Sequence, residues 1–216
     1  MKAIVIGATG ATGKYLVQDL LANNAFKEVI VLVRRQSFSP HQKLKEIVVD
    51  FNDLDQYKNE IDADVAFSVM GTTLKDAGSK DAQWKVDYDY QYDFAQLCAS
   101  QNVKNFVLLS ATGASSTSSL FYNRMKGKLD EEVQKLNFEK LIIFRPASLN
   151  RPNSNRFSEK LMTAVMSGFN SVGLLNNYKV IHVKDLANAL MNSVFNTTNG
   201  ITILNVKGIL DLKNKA

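Results

Sequence analysis

The chain has 216 residues, 45% hydrophobic and 22% charged, with a net charge of +5. That balance excludes a disordered or fibrous chain and allows one domain with a sizeable core. A single cysteine, Cys98, excludes an internal disulfide and a cysteine-based zinc site, and the 26 basic residues form no basic run, which argues against nucleic acid as a partner.

In chain order, short apolar runs alternate with amphipathic stretches. Strands are predicted at residues 3–6, 29–33, 47–49, 65–70, 106–109, 141–144 and 180–183. Helical stripes fall on Ala11, Tyr15, Leu16 and Leu20; on Tyr88, Tyr92, Ala95 and Ala99; on Met125, Leu129, Val133 and Leu136; and on Leu186, Ala187, Leu190 and Val194. The strands are rich in Val and Ile and apolar on both faces, as in a parallel sheet. Alternation with helices predicts an α/β class, doubly wound parallel sheet in a single domain over 1–216. Residues 150–179 break the pattern and are expected to form a small lid over the sheet's carboxyl edge. The longest aliphatic run, residues 29–33, is far short of the ~20 residues of a membrane span. Met1 and Lys2 lead straight into a strand without a cleavage signal, so the expected location is cytoplasmic.

Gly7-Ala8-Thr9-Gly10-Ala11-Thr12-Gly13 joins the first strand to the first helix as GxxGxxG. Gly7 suits a tight turn, Gly10 lets the backbone approach a pyrophosphate, and Gly13 lets the helix lie close to the sheet. Thr9, Ala11 and Thr12 complete this dinucleotide-binding turn, and the helix N-terminus offers N–H groups to phosphate. A GxxxxGKS/T phosphate loop is excluded, because it needs Gly at 8 and Ser or Thr at 15, where Ala8 and Tyr15 stand. The second strand ends Val33-Arg34-Arg35-Gln36. A carboxylate there would bind the ribose of NAD; Arg34 and Arg35 instead suit the 2′-phosphate of NADP. Asp50 and Phe51 are placed to flank the adenine, and Met70, Gly71 and Thr72 to let the cofactor pass.

Tyr122 and Lys126 lie four residues apart on one helical face, after the fifth strand. The tyrosine hydroxyl can protonate a carbonyl during hydride transfer. The ammonium can lower the tyrosine pKa and hold the nicotinamide ribose. His41 and His182 have no ligand partners at motif spacing, so no metal is expected, and His182 reads as a core residue. Cys98 reads as a buried small hydrophobe, and Trp84 with its neighbouring tyrosines as helix packing.

As a set, these segments resemble an atypical short-chain dehydrogenase/reductase of the Tat-interacting-protein-like kind, with NmrA-like and biliverdin/flavin-reductase-like proteins as cousins. The matching segments are GATGATG from Gly7, VRR from Val33, VDFNDLDQY from Val49, MGTTLKDAG from Met70, VDYDY from Val86, LLSATGA from Leu108, YNRMKG from Tyr122 and FRPASL from Phe144. The resemblance implies a Rossmann fold, NADP held by the glycine turn with Arg34 and Arg35, and Tyr122 and Lys126 as the catalytic pair. It also implies that Arg145, Pro146, Ala147 and Ser148 border the nicotinamide. The serine that assists the tyrosine in such proteins falls just beyond the fifth strand, where Ser110, Thr112 and Ser115 all stand. Thr112 is taken as the third catalytic candidate and Ser110 as a cofactor contact.

The expected function is an NADPH-dependent reductase acting on a small carbonyl, quinone or flavin-like acceptor. The alternative is a non-catalytic NADP(H) sensor. A sugar-nucleotide epimerase is disfavoured for want of a large C-terminal substrate lobe. The expected partner is a small-molecule substrate, with no nucleic acid, no membrane, and a homodimer left open.

Overall fold

Strand periodicity decides the layers. In the computed structural model, which describes residues 1–147, 149, 150 and 180–213, strand β1 (Lys2–Ile6) sends Ala3 and Val5 to one face and Ile4 and Ile6 to the other. All four are fully buried. At ~1.5–3 kcal/mol for each buried Val, Ile or Leu, such two-sided burial is what holds a central parallel strand in place.

The chain continues through α1 (Gly13–Ala22), β2 (Glu28–Val33), β3 (Leu44–Val48), a 3-10 helix (Leu54–Glu60) and β4 (Val65–Ser68). Two short helices follow, α2 (Leu74–Ala77) and α3 (Lys80–Trp84), then a π turn (Lys85–Asp89) that runs into α4 (Tyr90–Ser100). Next come β5 (Asn105–Leu109), α5 (Phe121–Gln134), β6 (Lys140–Phe144) and β7 (Leu149–Asn150). The last elements are β8 (Ile181–His182), α6 (Val183–Asn196), β9 (Gly200–Leu204) and α7 (Val206–Leu212). Seven strands form one parallel sheet in the order β3-β2-β1-β4-β5-β6-β9. Helices α1, α6 and α7 pack on the Ala3 face through Leu16, Leu20, Leu186, Leu190 and Ile209. Helices α4 and α5 pack on the Ile4 face through Phe94, Ala95, Leu129 and Val133. This is the doubly wound, Rossmann-like architecture expected from the alternation.

Two local expectations need correction. Residues 180–183 are not a strand of the main sheet. Ile181 and His182 make a two-residue pairing with β7, and Val183 already begins α6. His182 is half-buried rather than a core residue; its Nδ1 accepts the Lys184 N–H at 3.2 Å and caps that helix. The seventh strand is β9, whose run Gly-Ile-Thr-Ile-Leu lies beside β6. The second correction concerns α4 and the turn before it. Tyr88, Tyr92 and Ala99 are only half-buried, while Asp87, Gln91, Phe94 and Cys98 form the inner face. Cys98 is fully buried, and burial pushes its thiol well up. The expected lid lies outside the described residues but for Asn150, at the end of β7.

Candidate functional site

The sheet order reverses between β1 and β4, and the carboxyl ends of these strands open into a cavity of about 570 Å³. Gly7 leaves β1 at φ +77°, and a Cβ there would lie 2.5 Å from the Met70 nitrogen, so the turn requires glycine. A Cβ on Gly13 would lie 2.1 Å from the Gly7 carbonyl oxygen; α1 starts too close to the turn for any side chain. Gly10 is different. It is exposed in the cavity wall, and a Cβ would meet only the Gly7 oxygen, at 3.2 Å. Helix α1 begins with no side-chain cap on its N–H groups and no acidic residue in its first turn. An open backbone cradle that a Cβ would fill, at an uncapped helix N-terminus, fits a pyrophosphate. Thr9, Ala11 and Thr12 also line it.

Beyond the end of β2, Arg34 is exposed and joins the cavity wall beside Leu32 and Val33, with no carboxylate at the strand end. Arg35 is exposed and lies outside that wall. Phe51 is in the wall, its ring 5.5 Å from that of Tyr90. Asp50 is not: its Oδ1 accepts the Asn52 N–H at 2.9 Å and the Asn52 amide at 2.7 Å, and these bonds hold the carboxyl below its ordinary value. Met70, Gly71 and Thr72 border the cavity below β4.

At the other end stand Tyr122, 40% exposed, and Lys126, 2% exposed, one helical turn apart in α5 and in the same wall. Ser110, just beyond the end of β5, shares that wall, and its buried hydroxyl faces the Asp130 carboxyl. Thr112 lies outside it, with its hydroxyl donating to the Arg145 carbonyl at 2.8 Å and its N–H to the Pro146 carbonyl. Pro146 and Ala147 are likewise outside the wall, and Ser148 lies outside the described residues.

Two carboxylates that pattern reading passed over complete the site. Asp87, 1% exposed, sits on the π turn with Oδ1 3.7 Å from the Lys126 ammonium and Oδ2 accepting the Thr72 N–H at 2.8 Å. Burial pushes its carboxyl up, against the pull of Lys126 and of the Thr72 N–H. Asp130, fully buried one turn beyond Lys126, accepts the Arg145 Nε–H on Oδ2 at 2.9 Å, with the Arg145 Nη2 also 2.9 Å from that oxygen. Burial raises it too, against the pull of Ser110, Arg145 and Lys126. A π turn at a site edge was the available structural signal, but a single residue's rotation leaves no mark in hydrophobic period. Among the described residues no cluster of His, Cys, Asp or Glu could hold a metal, and no helix is long and apolar enough to cross a membrane.

Residues 7–169 match the NAD(P)H-binding family. Protein HTATIP2 of Rattus norvegicus is 32% identical, over 96% of this chain and 87% of the relative. Protein FMP52, mitochondrial, of Meyerozyma guilliermondii is 34% identical, over 77% of this chain and 74% of the relative. The mitochondrial naming of this relative, shared by that of Eremothecium gossypii, overturns the expectation of a cytoplasmic location. Among solved structures, MoeE5 in complex with UDP-glucuronic acid and NAD superposes with a TM-score of 0.68 at 18% identity, over 99% of this chain and 81% of that one. The Bordetella bronchiseptica enzyme WbmH in complex with NAD+ gives 0.70 at 16%, over 97% and 79%. These likenesses show the same fold. With the glycine cradle, the switch-point cavity and these matches together, the chain belongs to the NAD(P)H-binding family, as a Rossmann-folded, oxidoreductase-like short-chain dehydrogenase/reductase of the HTATIP2 kind.

Proposed function

We propose that the protein is an NADPH-dependent oxidoreductase acting on a small carbonyl, quinone or flavin-like acceptor. One observation carries this reading: Tyr122 and Lys126 lie in the wall of the same cavity as the glycine turn and Arg34. When bound, the dinucleotide supplies the hydride. The chain supplies the rest. The Gly10 cradle and the α1 N-terminus hold the pyrophosphate, and the Arg34 guanidinium pairs with the 2′-phosphate. The Tyr122 hydroxyl donates a proton to the acceptor oxygen, and the adjacent Lys126 ammonium stabilises the phenolate that remains. Ser110, which stands in the cavity wall, orients the acceptor oxygen; this replaces Thr112 in that role, since Thr112 lies outside the wall with its hydroxyl donating to the Arg145 carbonyl.

The test is NADPH consumption across a panel of aldehydes, ketones and quinones, beside fluorescence titrations with NADPH and NADH. Turnover with at least one acceptor and tighter binding of NADPH are expected. Tight NADPH binding with no turnover across the panel would replace this reading by the sensor; equal affinity for both dinucleotides would remove the role of Arg34.

A further inference from the structure

We infer that strand β9 is a docking edge for a second copy of this chain, the two β9 strands pairing antiparallel across a two-fold axis at Thr202. This contact does not depend on the Tyr122 chemistry. β9 closes one side of the sheet, with β6 as its one neighbour among the described strands. The Gly200 N–H donates to the Glu139 carbonyl and the Leu204 carbonyl accepts the Arg145 N–H, each at 2.8 Å. Main-chain groups alternate along a strand. Gly200, Thr202 and Leu204 therefore turn theirs to β6, and Ile201 and Ile203 turn theirs to the open edge. The side chains of these two residues are open as well. Their neighbours in register, Leu141 and Ile143, are buried, whereas Ile201 is 53% and Ile203 46% exposed. A row of open backbone groups beside apolar side chains is a template for another strand.

The other edge of the sheet is guarded. β3 carries Lys45 and Glu46; Lys45 pairs with Glu60 at 2.6 Å, and Glu46 accepts the Ser37 N–H at 2.7 Å. β9 has no such guard, for no charged residue stands between Asn196 and Val206. A net charge of +5 opposes self-association in general, and this uncharged edge is where a second copy meets no like charge. The strand also fits itself. A two-fold contact sets one surface against the same surface. With the axis at Thr202, Ile201 of each copy stands opposite Ile203 of the other, and these outward-facing residues exchange N–H···O=C bonds in both pairs. Asn199 then stands opposite Asn205. An axis at Ile201 or at Ile203 would instead set an isoleucine opposite an asparagine. Thr202 is thus the centre that keeps four isoleucines together on one face of the joined sheet. Two strands of five residues make an interface at or below the ~1,200 Å² of stable complexes, so the expected Kd is on the order of 10 µM.

The experiment is sedimentation of the full chain over about 1 to 200 µM, wild type beside Ile201→Lys/Ile203→Lys. The wild type should show a monomer–dimer equilibrium. The two lysines set like charges opposite one another at both contacts and should raise Kd about tenfold or more. Both replaced side chains are exposed, so the melt should stay cooperative. Thr202→Cys tests the axis. Residues of a non-hydrogen-bonded antiparallel pair have Cα atoms about 4.5 Å apart, within disulfide reach. Under oxidised glutathione Thr202→Cys should form a covalent dimer, whereas Ile201→Cys, opposite Ile203, and Val48→Cys, at the exposed end of β3, should not; the native Cys98 is buried. A wild type that stays monomeric over the whole range, a dimer that persists in the lysine variant, or Thr202→Cys crosslinking no faster than Val48→Cys overturns the proposal. If the lysine variant does not fold, the cysteine comparison decides alone.

Discussion

At the glycine turn the cavity is walled by backbone, where Gly7, Gly10 and Gly13 keep side chains out and an uncapped helix start supplies the polarity. At the Tyr122 end it is walled by buried polar groups, Asp87, Lys126 and Ser110, with the Asp130–Arg145 ion pair behind them. The first end works by what is absent and is sensitive to any added atom. The second works by placed charge and is sensitive to the loss of one group with little change in volume. Binding and chemistry are therefore separable by substitution, and the variants that separate them differ in kind.

The largest effect is expected at Gly13. Its Cβ would overlap backbone that cannot give way, so Gly13→Ala should cost about 3 kcal/mol of folding stability, read from denaturant midpoints. A near-normal midpoint would show that the turn can relax and that its glycines are less constrained than the geometry requires. Tyr122→Phe comes next. It leaves the packing of a half-exposed ring intact and should lower turnover about 10²-fold, measured by steady-state NADPH oxidation. Arg34→Glu should reduce the preference for NADPH over NADH about tenfold, since a carboxylate replaces the guanidinium in the cavity wall.

The smallest effect concerns pH. Burial raises the Asp130 carboxyl above its ordinary 3.8, so the folded state binds that proton more tightly than the unfolded chain. The contribution is fully present below 3.8 and is lost as pH rises through the raised folded value. Asp87 has the same sign. Removing Asp130 as Asp130→Asn should flatten that part of the stability curve, read from denaturant midpoints taken from pH 4 upward. A curve as steep as that of the wild type would mean that Asp130 titrates alike in the folded and unfolded chain.

How much of this could be read from the chain differs between the same two ends. The glycine spacing states a steric requirement directly, and Gly7 and Gly13 meet the constraint their positions suggested. Arg34 followed from the strand end, whereas nothing in the pattern separates it from Arg35, because only the path of the chain after β2 decides which guanidinium reaches the cavity. The charged end was legible only where its residues share one helix: Tyr122 and Lys126 follow from a single period. Asp87 did not, since Tyr88 and Tyr92 stand at helical spacing and the inner face was assigned to them. The π turn rotates the segment so that a carboxylate and Gln91 face inward. Thr112 and Ser110 could not be ranked without knowing that Arg145 engages the first hydroxyl. Strand β9 was missed because it is short, follows the polar Asn196-Thr197-Thr198-Asn199 and leaves Ile201 and Ile203 exposed, while the more apolar 180–183 run serves to start a helix.

The most direct measurement is a set of NADPH binding isotherms for the wild type, Gly10→Val and Tyr122→Phe, each checked for a native melt. A branched side chain at Gly10 would stand in the proposed pyrophosphate cradle, whereas Tyr122, the proposed proton donor, lines the other end of the cavity. Gly10→Val should lose NADPH binding while keeping its fold, and Tyr122→Phe should bind as the wild type does. Normal binding by a folded Gly10→Val, or loss of binding in Tyr122→Phe, would contradict the division of the cavity into a backbone end that binds and a charged end that reacts.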